Sequence, residues 1–440
     1  MKHLKLIMLL CLVVLLAVTA VACGDSETTN TTTATTTAVV TTASAVTDGE
    51  TPATTIAPVT TVPATTVPAT TTAPVTTTPT TFASLKIGET PISDYTIVYA
   101  KSPYEAYTRL PDKKQYFPIY DFDHETADRL ADLIFALTGV RLNVVQDTKS
   151  TEVANEILVG ETNRTLTGGA DLSKLKSDDY VLNVVGTKLV ICGGEVGTTW
   201  HAIDYLETLF ADKLTKNEVN CSLASDYLYN GNYHLTVIGC IGDSITQGVG
   251  ASDQAMLSYP AQLGRILWKD ARVLNFGNSG STMRSDLADA YTARGTYGTA
   301  VRSAASVDIF TIMLGTNDSN RDQSWSEADS NAYNESCLNI MKALKAKNED
   351  LQFVIANCPA YFGGSNFGSA KIRQLQTALV PMANDAGYPT TFYDMFSVTK
   401  TMSAYYPDQL HPNDMGHLKM AQAFAEYLQT LITPAVNEAE

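Results

Sequence analysis

The hydrophobic positions of the chain form two patterned regions, which follow a long N-terminal stretch without such a pattern. From about Pro91 to Asn232, and again from Leu235 to about Thr433, short apolar runs alternate with segments in which apolar residues recur every three or four positions. Runs of the first kind are typical of buried strands, and the spacing of the second kind is typical of amphipathic helices. The pattern therefore predicts two folded units of the α/β class.

The first unit is predicted to be a small domain with its elements in a βαββββα-like order. Its first helix has a candidate N-cap at Asp121 or Asp123 and a candidate terminator at Gly139. Gly186-Thr187 separates two apolar runs and predicts the turn of a hairpin. The predicted strands are Tyr95–Tyr99, Arg141–Val145, Glu156–Val159, Tyr180–Val185 and Lys188–Cys192. The apolar face of the first helix is Ala127, Leu130, Ala131, Ile134 and Phe135, and a second helix covers about Thr198–Phe210.

The second unit is predicted to be a doubly wound parallel sheet of about five strands with helices on both faces. Apolar runs alternate with helical segments, which is the order that builds βαβ units. The predicted strands are Leu235–Ile241, Val273–Phe276, Ile309–Leu314, Phe353–Asn357 and Thr391–Tyr393. Ligands bind at the carboxyl ends of the strands in such sheets, so polar residues directly after these runs are candidate site residues.

The N-terminal stretch predicts export. Residues 1–22 combine Lys2 and Lys5 with a short apolar run, as a secretory signal does. The end of this run, Ala20-Val21-Ala22-Cys23, resembles the lipobox of bacterial lipoproteins, which implies that Cys23 is lipidated and becomes the new N-terminus. An ordinary signal site with an incidental cysteine is the alternative. We expect the protein to be extracytoplasmic and held at the bacterial cell membrane by this lipid alone.

The segment between the signal and the folded units is predicted to be a disordered stalk. Residues 23–84 are dominated by Thr, Ala, Val and Pro in near-repeats such as VPATT, and they lack the apolar bulk that a packed core needs. The predicted organisation is therefore a signal at 1–22, a stalk at 23–84, an accessory domain at 85–233 and a catalytic domain at 234–433.

Charge and cysteine content restrict the partners. The 440 residues include 30 Lys and Arg against 46 Asp and Glu, a net charge of −16, which repels a phosphate backbone and argues against nucleic acid. The cysteines after Cys23 are odd in number and include no C-x-x-C pair. They indicate buried thiols and not a disulfide framework or a zinc site; they are Cys192, Cys221, Cys240, Cys337 and Cys358. Composition leaves the oligomeric state open.

Four polar blocks in the second unit carry its candidate chemistry. Three follow predicted strands and the fourth lies near the C-terminus; they are Gly242-Asp243-Ser244, Gly277-Asn278-Ser279-Gly280-Ser281, Gly315-Thr316-Asn317-Asp318 and Asp408-Gln409-Leu410-His411-Pro412. Each block alone is common in turns. In this order they resemble the four blocks of the SGNH (GDSL-like) hydrolase superfamily, and the resemblance covers roughly Leu235 to Thr433.

The resemblance implies a metal-free serine hydrolase without an organic cofactor. It implies Ser244 as nucleophile, His411 as base and Asp408 as the partner that orients His411. It also implies an oxyanion hole made by the amides of Ser244 and Gly280 and the side chain of Asn317. A serine hydroxyl needs a neighbouring imidazole to take its proton, and an acceptor on the other ring nitrogen holds that imidazole in the required tautomer. The charge that develops on the carbonyl oxygen needs fixed donors.

The sequence offers other residues for the same roles. Asp414 and His417 repeat the Asp-x-x-His spacing, so spacing alone does not choose the base, although the proline after His411 favours His411. The remaining candidates are predicted to be structural, with Asp243 capping a turn and Asp318 bonding locally; the histidines of this group are His124, His201 and His234.

Both units together predict an esterase that removes short acyl groups, chiefly acetyl, from polysaccharides. The first unit, with segments such as DDYVLNVVGTKLVICGG, resembles the small accessory domain that precedes the catalytic barrel in bacterial hexosaminidases and α-glucuronidases, which implies a carbohydrate partner. Trp325, Tyr361 and Phe362 are candidates for stacking on a sugar or for covering a core edge. A lipid-directed esterase or lysophospholipase, an acyltransferase and a non-catalytic glycan-binding surface protein remain open.

Overall fold

The structure is a computed structural model that describes residues 79–103, 121–319, 325–364 and 367–432. The described residues from Thr80 onward belong to one compact unit. The predicted signal, Cys23 and nearly all of the predicted stalk lie outside the described residues. In the part of the chain that is described, no helix combines the length and the apolar character that crossing a membrane requires.

The N-terminal part of this unit contains two sheets. A six-stranded sheet has the order β4-β3-β5-β7-β6-β9, in which β6 runs antiparallel to both of its neighbours and the other pairs are parallel. A small sheet has the order β2-β1-β8. The elements are β1 (Ser84–Ile87), β2 (Thr90–Pro91), β3 (Thr96–Tyr99), α1 (Phe122–Thr138), β4 (Asn143–Gln146), β5 (Glu156–Val159), β6 (Asp179–Val185), β7 (Lys188–Gly193), α2 (Val196–Thr215), β8 (Asn220–Leu223) and β9 (Leu228–Asn232).

Three predictions for this part differ from the structure. Phe135 was expected on the buried face of α1 but is 47% exposed, because Leu133, Ile134 and Leu137 supply the packing of that turn. The strand expected at Arg141–Val145 begins only at Asn143. The helix expected at Thr198–Phe210 extends from Val196 to Thr215, where Glu195 and Thr198 form a capping box at its start.

The C-terminal part contains one five-stranded sheet in which all neighbours are parallel, in the order β11-β10-β12-β13-β14. Its elements are β10 (Thr236–Gly242), α3 (Ser244–Gln247), α4 (Gln254–Leu257), α5 (Tyr259–Ile266), β11 (Ala271–Gly277), α6 (Gly295–Ser303), β12 (Ile309–Met313), α7 (Thr316–Ser319), α8 (Glu327–Lys345), β13 (Gln352–Ala356), α9 (Phe367–Asp385), β14 (Thr390–Tyr393), α10 (Met395–Thr399) and α11 (Asp414–Leu428). The predicted α/β fold with a doubly wound parallel sheet is confirmed.

Helices cover both faces of the five-stranded sheet because successive strand residues point to opposite sides. Ile238 and Cys240 of β10 pack on one side, in a core that α5 and α11 complete with Tyr259 and Phe424. Val237, Ile241 and residues of β12 and β13 pack on the other side, in a core completed by α6, α8 and α9. The strand order reverses at β10, which has β11 on one side and β12 on the other. A ligand site is therefore expected at the carboxyl end of β10.

Side chains also join the two parts of the unit to each other. His234 lies 3.0 Å from Asp178 through Nδ1 and 3.1 Å from Asp308 through Nε2. Nε2 of His201 bonds to the carbonyl oxygen of Lys269. Trp268 packs against the rings of Phe122 and Trp200. The placement of a domain boundary at residues 233 and 234 stays a prediction.

Candidate active site

Ser244 is the first residue of α3 and comes two residues after the carboxyl end of β10. Asp243 caps this helix, since its side chain accepts a hydrogen bond from the amide of Ile245 at 3.0 Å. That cap leaves the amide of Ser244 without a partner in the described part of the chain. Ser244 is buried, at 7% exposed, and its position just after β10 places its hydroxyl and amide at the edge of the sheet.

His411 and Asp408 lie directly beside Ser244. Nε2 of His411 is 2.9 Å from Oγ of Ser244, and Nδ1 of His411 is 2.6 Å from Oδ2 of Asp408. Oδ1 of Asp408 accepts hydrogen bonds from the amides of Leu410 and His411. Gln409, between them, has a φ of 70°, an uncommon conformation that closes the tight turn. The structure therefore brings the three predicted triad residues together in one hydrogen-bonded chain.

The ionisation of Asp408 suits an orienting role. Partial burial acts to raise its pKa, but hydrogen bonds from the amide and ring of His411 and from the amide of Leu410 outweigh that effect and lower the pKa. The carboxylate thus stays ionised in mildly acidic solution. As an acceptor it holds the proton of His411 on Nδ1 and leaves Nε2 free to take the proton of Ser244.

The other predicted donors follow the two strands that flank β10. Gly280 lies in the loop after β11 with a φ of 75°, which glycine adopts without strain. Gly277 at the start of this loop is needed for close approach, because a Cβ there would lie 2.2 Å from the amide nitrogen of Gln247. Asn317 lies in α7 after β12, and one proton of its amide group bonds the carbonyl oxygen of Ser281 at 2.9 Å. Its second amide proton is left for a ligand.

Several bonds that the sequence did not predict fix the loop after β11, here called the oxyanion loop (residues 277–281). The side-chain oxygen of Gln247 accepts from the amide of Ser279 at 2.7 Å, and the amide of Asn278 donates to the carbonyl oxygen of Gly242 at 3.0 Å. The side chain of Asn278 donates to the hydroxyl of Thr296 at 3.1 Å. Gln247 lies three residues after Ser244, and nothing in the sequence pattern predicts that it supports the loop.

Asp318 supports the site through non-local bonds, and the prediction that it bonds locally was wrong. Its carboxylate accepts from the amides of Met283 at 2.8 Å and Arg284 at 3.0 Å, and so ties the chain after the oxyanion loop to α7. Burial raises the pKa of Asp318 to about 6, and these amides oppose the rise. Burial also raises the pKa of Asp243 to about 6, opposed by the amide of Ile245.

His417 is buried away from the hydroxyl of Ser244. Its Nδ1 accepts from the amide of Tyr259 at 3.2 Å, and its Nε2 lies 3.3 Å from the carbonyl oxygen of Val249. Burial lowers its pKa to about 4, so the ring is neutral near pH 7 and both nitrogens are used by the backbone. The structure gives the second Asp-x-x-His pair a packing role, and its Asp414 instead accepts from Ser252.

The remaining candidates lie apart from this hydrogen-bonded chain. His124 and His201 belong to the N-terminal part, and His201 bonds Asp204 and Lys269. Trp325 packs against Tyr333 beneath Arg284, which is a core-edge position. Phe362 reaches the site turn, since its amide donates to the carbonyl oxygen of Gln409 at 2.9 Å and its ring packs on Tyr406.

The cysteines lie outside the chemistry of the site, and the described residues form no metal-binding cluster. The five cysteines after Cys23 are all buried and unpaired, as expected. Burial raises the pKa of Cys240, in β10, and of Cys358, just after β13, to about 12. Within the described ranges, no cluster of three or more His, Cys, Asp or Glu side chains has the arrangement of a metal site.

Residues 240–419 match the model of the GDSL-like Lipase/Acylhydrolase family, a range that includes all four blocks. This part of the chain is therefore a GDSL-like (SGNH) hydrolase domain. The resemblance of the first unit to accessory domains of glycan-degrading enzymes stays a prediction.

Individual relatives of this domain are esterases by name. The acetylxylan esterase of Xylanibacter ruminicola is 28% identical over 209 residues, which is 43% of this chain and 42% of the relative. The chain thus spans less than half the length of that relative. Two solved structures share 20% identity with this chain. One is a putative arylesterase from Agrobacterium tumefaciens, whose match covers 45% of this chain and 100% of the arylesterase chain, with a TM-score of 0.36. The other is a family two carbohydrate esterase from Clostridium thermocellum in complex with cellohexaose. Its match covers 47% of this chain and 68% of the esterase chain, with a TM-score of 0.34.

Proposed function

We propose that the protein is an extracytoplasmic serine esterase that hydrolyses short acyl esters, chiefly acetyl esters, of polysaccharides. The observation that carries the proposal is the hydrogen-bonded triad. Nε2 of His411 lies 2.9 Å from Oγ of Ser244, and Nδ1 of His411 lies 2.6 Å from Oδ2 of Asp408. It lies at the carboxyl end of β10, and the candidate oxyanion donors Gly280 and Asn317 follow the two strands that flank β10.

The reaction has two halves that use the same groups. Oγ of Ser244 attacks the ester carbonyl while Nε2 of His411 takes its proton, and Asp408 stabilises the imidazolium that forms. The amides of Ser244 and Gly280 and the side chain of Asn317 bind the oxyanion. Each donor lowers the activation free energy by about 3 kcal/mol. When the bond to the sugar oxygen breaks, His411 gives its proton to that oxygen, which leaves as a hydroxyl, and the acyl group stays on Oγ of Ser244. In the second half, His411 activates a water that releases the acyl group from Ser244.

The accessibility of the site supports a polymeric substrate. The side chain of Asp408 is 56% exposed and that of His411 17% exposed, so these two triad members lie near the protein surface, whereas Ser244 is buried beside them. An acetylated sugar in the middle of a polysaccharide can therefore reach such a site from solvent, because no end of the polymer has to enter a closed pocket. The name of the acetylxylan esterase relative supports the same class of ester.

The location is proposed from the N-terminus alone. Lys2, Lys5, the apolar run and Cys23 favour export followed by lipid attachment. Labelled fatty acid should be incorporated into the wild type and not into Cys23→Ala, and detergent should be needed to extract the wild type. Release of intact wild type into the medium would instead favour the ordinary signal site.

The function is tested by hydrolysis of 4-nitrophenyl acetate and by acetate release from acetylated xylan. Ser244→Ala should lower kcat by several powers of ten and leave thermal unfolding unchanged. Ser252→Ala is the matched control, because its hydroxyl bonds Asp414 and not the triad, and it should retain activity. EDTA should have no effect. Full activity of Ser244→Ala, or equal losses in both variants, would contradict the proposal.

A further inference from the structure

We propose that Arg294 binds a carboxylate of the substrate next to the reacting ester, which makes the preferred substrate an acetylated polysaccharide that contains uronic acid. The inference rests on the proposed esterase function and specifies the class of polymer.

Arg294 lies against the oxyanion loop. A Cβ placed on Gly280, whose amide is a predicted oxyanion donor, would be 4.0 Å from Nη2 of Arg294, and this is its nearest neighbour. The loop and the chain at Arg294 are also joined by the bond between Asn278 and Thr296. The guanidinium therefore lies beside the loop whose amides are expected to bind the ester oxygen.

The guanidinium of Arg294 has no protein counter-ion in the described part of the chain. Its Nε is buried and has no hydrogen-bond partner there, and Arg294 as a whole is half-buried. Arg284, which is buried, is by contrast paired, since it bonds Asp286 and Asp329, both at 2.7 Å. A half-buried cation without a partner is costly, and a ligand carboxylate would remove that cost.

A second feature adds positive potential at the same place. Arg294 is the N-cap residue of α6, a helix of nine residues whose start has no side-chain cap. The next residue, Gly295, is exposed, and a Cβ added to it would meet nothing within 4 Å. The unpaired amides at the start of a helix and its dipole both favour an anion.

The chemistry of these groups favours a carboxylate over a neutral hydroxyl. A guanidinium presents a planar pair of N–H groups that matches the two oxygens of a carboxylate. A neutral acetylated sugar needs no positive charge beside the ester. The chain as a whole carries a charge of −16 and repels acidic polymers, so binding such a polymer requires a local cation of this kind.

The test compares two polymers that differ only in charge. Acetylated homogalacturonan is used with free carboxylates and, at the same acetyl content, with its carboxylates methylated. Wild type should show a higher kcat/KM for the free acid, and Arg294→Gln should lose about 10- to 100-fold of that preference. Arg294→Lys should recover part of it. Arg302→Gln is the control, because Arg302 lies on the same helix and donates to Thr299, and it should keep the preference.

Two further results separate this inference from the esterase proposal. Binding of oligogalacturonate to Ser244→Ala, measured by calorimetry, should weaken when Arg294→Gln is added. If wild type hydrolyses 4-nitrophenyl acetate but treats both polymers equally, the carboxylate subsite is refuted and the esterase stands. If no ester is hydrolysed while Arg294 still governs oligogalacturonate binding, the subsite stands and the esterase is refuted. If Arg294→Gln lowers the rates on both polymers and on 4-nitrophenyl acetate equally, Arg294 serves the reaction or the fold and not recognition.

Discussion

Replacing Asp408 by Asn should lower kcat by about 100- to 1000-fold and leave the fold intact. Oδ1 of Asp408 accepts from the amides of Leu410 and His411, and Oδ2 lies 2.6 Å from Nδ1 of His411. Asn keeps an oxygen for the two amides but places an NH₂ group against Nδ1. Two donors cannot share this bond, so the ring proton moves to Nε2, and Nε2 then cannot accept the proton of Ser244.

The magnitude follows from the bond that is lost and from its exposure. A hydrogen bond to a charged group contributes about 1.5–3 kcal/mol, which corresponds to about 10- to 150-fold in rate. The wrong tautomer adds to this, and the total reaches about 10⁴-fold where the triad aspartate is buried. The side chain of Asp408 is 56% exposed, so water competes for the ring and reduces the loss. We therefore expect a value between these limits.

The assay is kcat for 4-nitrophenyl acetate, with thermal unfolding as the check on folding. Asp408→Ala should be less impaired than Asp408→Asn, because water can then accept from Nδ1. Asp414→Asn is the control, since Asp414 bonds Ser252 in the second Asp-x-x-His pair. An Asp408→Asn variant that keeps more than about one third of wild-type kcat would refute the orienting role.

Three further outcomes are expected. His411→Ala should abolish ester hydrolysis, whereas His417→Ala should lower the melting temperature and keep most of the kcat of the folded protein; the reverse would move the base to His417. Partial burial acts to lower the pKa of His234, but its bonds to Asp178 and Asp308 and their charges raise it, so its stabilisation is full at low pH and is lost as pH rises through the folded-state pKa. The melting-temperature deficit of His234→Gln should therefore be largest below about pH 6.5 and shrink as the pH rises above that value, and a constant deficit would contradict this. Rates on 4-nitrophenyl esters should fall steeply beyond about four acyl carbons, whereas rates that rise through long chains would favour a lipid-directed esterase.

The catalytic part of the fold was largely predictable from local pattern. Each strand of the five-stranded sheet is an apolar run, and Leu235–Ile241, for example, differs by one residue at each end from the observed Thr236–Gly242. Parallel strands bring their carboxyl ends to one edge, so blocks that follow β10, β11 and β12 had to lie near one another. The triad contact depended on the family resemblance, since His411 is 167 residues from Ser244.

Features that depend on tertiary packing were not predictable. β1 and β8 pair in parallel although Ser84 and Asn220 are 136 positions apart, and four-residue strands carry little pattern. The carboxylate of Asp318 accepts from the amides of Met283 and Arg284. Backbone amides carry no residue-type signal, so the sequence could not predict these distant partners. Arg294 follows a segment without apolar periodicity, so only the structure shows that it lies beside Gly280.

The central claim, that Ser244 is the nucleophile of an esterase, is tested most directly by covalent labelling. A fluorophosphonate reacts with a serine only when a base activates it and an oxyanion hole accepts the phosphoryl oxygen. The account predicts one adduct per chain on the peptide that contains Ser244, with loss of esterase activity at the same rate and no labelling of Ser244→Ala. Inactivation with the adduct on another residue, or an active esterase that never labels at Ser244, would contradict it.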